Sequence, residues 1–444
     1  MKFETDAQTV KDLNLFSERD ECIFNCYNYT NTFGGKVLLR KQMSTPSSDF
    51  TTIDNRVRAL DYLMDLTPEF EILQKDVAYV EHYLRLDKKP LQDHFIDAFK
   101  DALKNKIKAT NDYYLIGKGI DAILKLYRYL RQSFLYHEAS RLPSLLTGIK
   151  SKLDALSIPQ EVLVIPEKKT RRRSGRFINR LDNFFRDRTI LELKDFMEAI
   201  YELDVLFSLV KAMQKNEFSL PEFENVRSGT FLSIKDLYHP LVDSPVKNSI
   251  ELKEDDNCCF LTGPNMSGKS TFLKSIGLCV YLAHLGFPVP AKKIRLTPFH
   301  GLITTINLSD NLNLGYSHYY GEIQRMKYVA LRLEKLQRVI VIIDEMFRGT
   351  NVTDARYGTA AISAAFTKIK ESKFFVSSHI VEVTGDLQES NRGIQYWHLG
   401  IGDEKDLESY AYALRKGVAH RKLGRKILEQ EGILEILNRV CDRG

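Results

Sequence analysis

The nine residues Gly263-Pro264-Asn265-Met266-Ser267-Gly268-Lys269-Ser270-Thr271 constrain this chain more than any other stretch. They fit G-x-x-x-x-G-K-[ST], and their surroundings fit as well. The apolar run Cys258-Cys259-Phe260-Leu261, ending in Thr262-Gly263, reads as a strand, and a helical pattern runs from Thr271 to about Leu285. A strand, a Gly-rich turn and a helix in that order point several backbone N–H groups inward around a phosphate, with glycine letting the backbone come close. The helix N-terminus adds a favourable partial charge. The whole loop, Gly263 to Thr271, is therefore expected to cradle the phosphates of a nucleotide. Within it Lys269 is expected to reach the β- and γ-phosphates, and the Ser270 hydroxyl to bind Mg²⁺. A chance match on a surface turn would not be flanked by strand and helix in register.

Two further apolar runs share the first one's character. Val339-Ile340-Val341-Ile342-Ile343 ends in Asp344-Glu345, and Phe374-Phe375-Val376 ends in Ser377-Ser378-His379. Short runs that are apolar throughout and flanked by helix-like stretches read as buried parallel strands. In open α/β sheets, ligands bind beyond the C-terminal strand ends, where these polar residues gather. Asp344 is expected to hold Mg²⁺ through water, Glu345 to orient or deprotonate the attacking water, and His379 to contact the γ-phosphate. Before residue 236 the apolar spacing is helical instead. Residues 93–107, 119–136 and 189–215 read as helices; in the last, Ala199, Leu203, Leu206 and Val210 share a face flanked by Phe196 and Phe207. The expected fold class is α plus α/β: a helical domain over 1–235, then a P-loop NTPase (ABC-type) α/β domain over 236–444.

Composition narrows the setting. Of 444 residues, 43% are hydrophobic and 27% charged, ordinary globular values that exclude wholesale disorder. No apolar run approaches the roughly 18 residues a membrane span needs, and the acid-studded first thirty residues lack the apolar stretch of a signal peptide. Six cysteines are too few for a disulfide scaffold, so a reduced, cytoplasmic setting is expected, with Cys22 and Cys26 as core thiols. The formal charge is +6, and Pro166–Arg188 carries a net +6 by itself, from nine basic and three acidic side chains. Lys168, Lys169, Arg171, Arg172, Arg173 and Arg176 are its nucleic-acid candidates, with Phe177, Phe184 and Phe185 interleaved. Guanidinium groups bind phosphate in bidentate fashion, and rings stack on unpaired bases. The segment reads equally well as a solvated loop between two helical arms, its Phe residues starting the next helix.

These motifs resemble those of the MutS family of DNA mismatch repair ATPases. GPNMSGKST is more specific than a generic phosphate loop. Leu282 through Ala291 is similar to the family's LAQIG-x-FVPA. Asp310-Asn311-Leu312 with Gly315 to Ile323 resembles DDL…G-x-STFMVEM, and Asp344 to Asp354 resembles DE-x-GRGTST-x-D. Ser378-His379 with Glu382 resembles TH-x-x-E. In the first half, Gly34-Gly35-Lys36-Val37-Leu38-Leu39-Arg40 resembles GG-x-LLR, Glu202 to Leu206 resembles ELDVL, and His239-Pro240 resembles the RHP that opens the ATPase domain. The departures cluster in one loop: Phe347 stands where the family usually has Gly, Asn351-Val352 replaces Ser-Thr, and Ala355 replaces Gly. Lys422 replaces a Ser near the end.

The resemblance implies a core and lever domain followed by the ATPase domain, with no room before residue 5 for the mismatch-reading and connector domains. It implies a homodimer in which Ser317 reaches the partner's γ-phosphate and the 346–354 loop carries the coupling; no arginine finger is evident in cis. Tyr412 falls where the family places a ring against adenine. The implied function is ATP hydrolysis with Mg²⁺ that switches a dimeric clamp on DNA, mismatched or branched. The alternatives are a MutS-like ATPase acting on branched DNA or ribosomal RNA without mismatch recognition, and a DNA-binding module with a decayed ATPase.

Overall fold

The computed structural model describes residues 3–17, 21–66, 70–87, 90–91, 111–137, 141–163, 175–224, 229–306, 318–388, 393–400, 412–418 and 432–441. The chain divides into two compact units. One is Tyr27–Ser44 with Asp54–Ala212; the other is Met1–Cys26, Thr45–Ile53 and Met213–Gly444.

The first unit is helical. Its spine is the Ile190–Asn216 helix, whose Phe196, Ala199, Ile200, Leu203, Leu206, Leu209 and Val210 are all buried. The apolar 3.6-residue rhythm seen in the sequence is thus its core face. Asp204, on the same helix, is also buried and accepts hydrogen bonds from Asn31 N (2.9 Å), Thr32 N (2.9 Å) and Thr32 Oγ1 (2.7 Å). Thr32 Oγ1 in turn accepts from Gly35 N at 2.9 Å, capping the Phe33–Met43 helix. A Cβ at Gly35 would collide with the Asp204 carboxylate, so the glycine permits the close approach. The helix expected over 119–136 spans Asn111–Arg131, and a separate short helix occupies Phe134–His137. The break falls where the Ser133 hydroxyl bonds Leu130 O at 2.6 Å, a side chain competing with the backbone ladder. Residues 93–107 lie outside the described residues.

The C-terminal part of the basic segment is ordered around a carboxylate. The Gly175–Asn183 helix runs into a π-helical turn, Phe184–Arg188. Asp182, fully buried, accepts from Tyr83 Oη (2.8 Å), Leu91 N (2.8 Å), and Arg186 Nε (2.7 Å) and Nη2 (2.6 Å). Arg186 therefore faces inward. Lys168, Lys169, Arg171, Arg172 and Arg173 lie outside the described residues, and of Arg176 only the helical backbone is described.

The second unit holds the strands β1 (Pro221–Phe223), β2 (Leu232–Leu237), β3 (Asn248–Leu252), β4 (Cys258–Thr262), β5 (Lys293–Leu296), β6 (Gly301–Thr305), β7 (Val339–Asp344), β8 (Lys373–Ser378), β9 (Ile394–Leu399) and β10 (Leu414–Lys416). They form a four-stranded sheet in the order β1-β5-β2-β3 and a six-stranded sheet in the order β10-β9-β4-β8-β7-β6. In the larger sheet only the β10–β9 pairing is antiparallel. Every residue of β4, β6, β7 and β8 is buried, and the three apolar runs seen in the sequence fall inside β4, β7 and β8. The chain's first residues extend this sheet. Glu4 N donates to His300 O (2.8 Å), Leu302 N to Glu4 O (2.9 Å) and Thr304 N to Thr9 Oγ1 (2.9 Å). No helix among the described residues is long and apolar enough to cross a membrane.

Candidate functional site

Strand register sets the site's position. Thr262 of β4 pairs with Ser378 of β8, and Asp344 of β7 with Ser377 of β8, so all three strands end at one edge. The loop 263–268, Asp344-Glu345 and His379 leave the sheet there together. The loop needs its glycines. Gly263 and Gly268 have φ of +152° and +90°, a region that side-chain-bearing residues avoid. A Cβ at Gly263 would lie 2.9 Å from Ser267 Oγ and 3.1 Å from Leu399 O. The Ser267 hydroxyl is buried with no hydrogen-bond partner among the described residues. Lys269 opens the Lys269–Ala283 helix and is 5% exposed. Its Nζ turns back into the loop, donating to Gly263 O (2.8 Å) and Pro264 O (2.9 Å). Asn265, Met266 and Thr271 are exposed at the rim.

Asp344 is gripped on both oxygens. The Ser270 hydroxyl donates to Oδ2 and the Ser377 hydroxyl to Oδ1. Glu345 leaves the strand direction at once, its φ being +57°, while its N–H donates to Ser377 O at 3.2 Å. The two neighbouring acids therefore point to different partners. The Glu345 carboxylate meets three basic side chains: Arg348 Nε at 3.1 Å, Lys269 Nζ at 3.3 Å and His379 Nδ1 at 3.4 Å. Burial disfavours its charge, but the His379 hydrogen bond and the charges of Lys269 and Arg348 outweigh burial and hold the carboxyl down at about 2.

A cleft of about 730 Å³ opens beside the loop, lined by Lys269, Ser270, Glu345 and Arg348 on one side and by residues of the β2–β3 connection on the other. Tyr412 lines it too. Its ring covers Gly268, where a Cβ would be 3.0 Å from Tyr412 Cδ1. Asn248 of β3 fixes that stretch, donating to Tyr412 O (2.9 Å) and accepting from Leu414 N (2.7 Å).

Lys269, Ser270, Asp344, Glu345 and His379 thus converge as the sequence suggests, with Tyr412 on the same cleft. Ser317 lies outside the described residues. Three participants escaped the sequence reading. Ser377 sits two residues before His379. Arg348 follows Asp344 by four residues and Glu345 by three, so a basic residue does reach the acids in cis. Glu322 (6% exposed) accepts from Arg348 N (3.1 Å) and Gly349 N (3.4 Å). Only the first two carried a sequence signal, their nearness to an acid or to the histidine.

In the loop after β7, Phe347 is buried at φ +62° and packs edge-on to Tyr319, ring centroids 5.8 Å apart. Asn351 takes over the helix cap, accepting from Asp354 N at 2.9 Å. Phe347 is therefore accommodated by local packing and Asn351 by capping.

Comparison with known proteins covers almost the same ground. Residues 8–209 match the family model described as MutS domain III, and residues 259–441 match MutS domain V. The chain belongs to the MutS family. The phosphate loop, Glu322, Asp344, Glu345, Arg348, Ser377, His379 and Tyr412 all lie within the MutS domain V match. The chain is 28% identical over 242 residues to the DNA mismatch repair protein MutS of Alkaliphilus oremlandii, an alignment spanning 53% of this chain and 27% of that protein. The protein of that name from Lysinibacillus sphaericus is 30% identical over 233 residues, 51% of this chain and 26% of its own length. The one from Listeria welshimeri is 28% identical over 264 residues, 57% and 30% respectively. The matched chain thus spans less than a third of each of these MutS-family relatives.

Proposed function

We infer that this chain is an ATPase of P-loop NTPase type, binding ATP on Gly263–Thr271 and hydrolysing it to ADP and phosphate. One observation carries the reading: Lys269, Ser270, Asp344 and Glu345 meet at the ends of β4 and β7, linked by hydrogen bonds and ion pairs. The residues suit the ligand. Loop glycines that leave no room for a Cβ, a buried lysine and the unpartnered Ser267 hydroxyl make a cradle for phosphate oxygens. The Ser270 hydroxyl offers a hard oxygen ligand that Mg²⁺ takes, and Asp344 would hold the ion through water; bound there, Mg²⁺ would neutralise charge on the phosphates.

The remaining roles belong to this chain's own groups. Lys269 gives up the carbonyls of Gly263 and Pro264 to bind β- and γ-phosphate oxygens. Ser377 fixes the second oxygen of Asp344. Glu345, held at about 2 by its neighbours, is a weak base, so it acts by accepting a hydrogen bond from the attacking water and aiming it at the γ-phosphorus. His379 steadies Glu345 across 3.4 Å and would contact the γ-phosphate. Tyr412 offers its ring to the base. The water's oxygen bonds to phosphorus as the bond to the β-phosphate bridging oxygen breaks, the water's proton passes to a phosphate oxygen, and ADP leaves.

The relatives carry the name DNA mismatch repair protein, and from that name and the Arg-rich 166–188 segment we infer that turnover is coupled to DNA. In this reading the chain acts as a homodimeric clamp with Ser317 serving the partner subunit's site, and Lys168, Lys169, Arg171, Arg172, Arg173 and Arg176 bind phosphates. Whether mismatched DNA, branched DNA or ribosomal RNA is the partner is decided by one experiment: ATP turnover with homoduplex, mismatched, branched and single-stranded DNA, and with RNA. Stimulation by one of these names the partner. Negligible turnover with every one of them refutes the ATPase reading in favour of a binding module.

A further inference from the structure

Arg348 holds both catalytic-edge acids at once. Besides Glu345 Oε2 at 3.1 Å, its guanidinium lies 3.3 Å from Asp344 O and 3.5 Å from Asp344 Oδ2. The positive φ values at Glu345 (+57°) and Phe347 (+62°) turn the chain tightly enough that a residue four positions beyond Asp344 returns to it. The backbone of that return is pinned from outside the loop. Glu322, buried on the His318–Lys335 helix, accepts the N–H groups of both Arg348 and Gly349. The Arg348 side chain itself is 44% exposed, so it can swing toward solvent on its flexible stem without opening a hole in the core.

We propose that Arg348 is a latch that competes with a divalent cation for Asp344, and that Glu322 sets the latch. The inference rests on the reading of Ser270 and Asp344 as the residues that hold the Mg²⁺ of bound ATP. Asp344 already spends one oxygen on the Ser377 hydroxyl. Its other oxygen faces the Ser270 hydroxyl and the Arg348 guanidinium. A full positive charge at that distance repels a second cation and its bound water from the same oxygen, so Arg348 must leave Asp344 before the carboxylate can serve Mg²⁺. On leaving it also releases Glu345, which keeps Lys269 and His379 as partners. Loading the site and freeing the water-orienting carboxylate thereby become one event. Arg348 is a positioning residue in this scheme, acting through Asp344 and Glu345.

The test is equilibrium binding of a fluorescent ATP analogue to the full chain, titrated with MgCl₂, for wild type, Arg348→Ala, Arg348→Lys and Glu322→Ala. Removing a partly exposed charged hydrogen bond lowers the Mg²⁺ concentration at half-saturation by about tenfold in Arg348→Ala. Glu322→Ala shifts it the same way by a smaller factor, and Arg348→Lys stays near wild type. A superimposable Arg348→Ala curve, or one needing more Mg²⁺, overturns the latch while leaving the nucleotide reading intact. Wild-type protein that binds no analogue at any Mg²⁺ concentration refutes the nucleotide reading and the latch with it. If Glu322→Ala fails to fold in a thermal melt, the Arg348→Ala curve alone decides.

Discussion

Phe347 carries a ring at a backbone position that favours glycine, and the neighbouring geometry lets the two effects be separated. Its φ of +62° costs a residue with a side chain about 1 kcal/mol or more. Its ring is 6% exposed and meets Tyr319 edge-on; truncating such a ring costs about 3–5 kcal/mol. Phe347→Gly should therefore destabilise by about 2–4 kcal/mol, the packing loss exceeding the backbone relief. The partner is Gly358, inside the Val352–Phe366 helix, where a Cβ would lie 2.7 Å from Phe347 Cε2. In wild type, Gly358→Ala gains about 1 kcal/mol of helix propensity and loses about 1–3 to overpacking. With Phe347→Gly the clash disappears, so the same substitution should stabilise by up to about 1 kcal/mol. The double-mutant cycle should then show a coupling of about 1–3 kcal/mol. The chain's single tryptophan, Trp397, lies on β9 in the same unit, so urea unfolding followed by its fluorescence reports the affected region. If Gly358→Ala has the same effect in both backgrounds to within about 0.5 kcal/mol, the ring does not rest on Gly358 and the account of this loop is wrong.

Glu345→Gln should keep nucleotide binding and lose turnover by about two orders of magnitude or more; a fully active variant rules out the water-orienting role. The Glu345 carboxyl is lower when folded (about 2) than its ordinary value of 4.5. Its stabilising charge is thus fully present above that ordinary value and is lost as pH falls toward 2. Wild type should lose stability over that window more steeply than Glu345→Gln in acid unfolding curves, and parallel curves would contradict the cation cluster. Asp182→Ala removes the buried carboxylate that Arg186 and Tyr83 share and should cost about 3–5 kcal/mol in thermal unfolding, whereas Arg188→Ala, at an exposed position, should stay within about 0.5 kcal/mol. Neutralising Arg171, Arg172 and Arg173 together should weaken DNA binding and flatten the log–log salt dependence by about 0.9 for each phosphate these side chains had neutralised; an unchanged slope leaves the segment a solvated loop.

What the sequence disclosed and what it hid follow from physics. β4, β7 and β8 were legible because the middle of each, buried on both faces, is a run of apolar residues, the polar ones falling at the strand ends. The loop at Gly263–Thr271 was legible because its backbone angles require glycine at fixed spacing. The Ile190–Asn216 helix was legible because it is long and its apolar residues recur at three- and four-residue spacing. The smaller sheet was not: β1 has three residues and β2 is interrupted by a register shift between Ile234 and Leu237, too short and irregular for alternation to register. Nor was the attachment of the N-terminal residues to β6, which depends on pairings nearly 300 positions apart, such as Asp12 Oδ2 with Thr304 Oγ1 and Ile306 N. Glu322 stayed hidden for a related reason. It serves backbone N–H groups 26 and 27 residues away, and a backbone partner leaves no complementary residue type in the sequence.

The central claim is that Lys269 lies at the heart of a nucleotide site. Calorimetric titration of Mg·ATP into wild type and Lys269→Ala tests it most directly. Lys269 is 5% exposed and bound to Gly263 O and Pro264 O, and removing a buried charge that binds phosphate should weaken affinity by at least about tenfold. Saturable wild-type binding that Lys269→Ala lacks or greatly weakens is the expected result. Equal affinity in the two proteins would contradict the account.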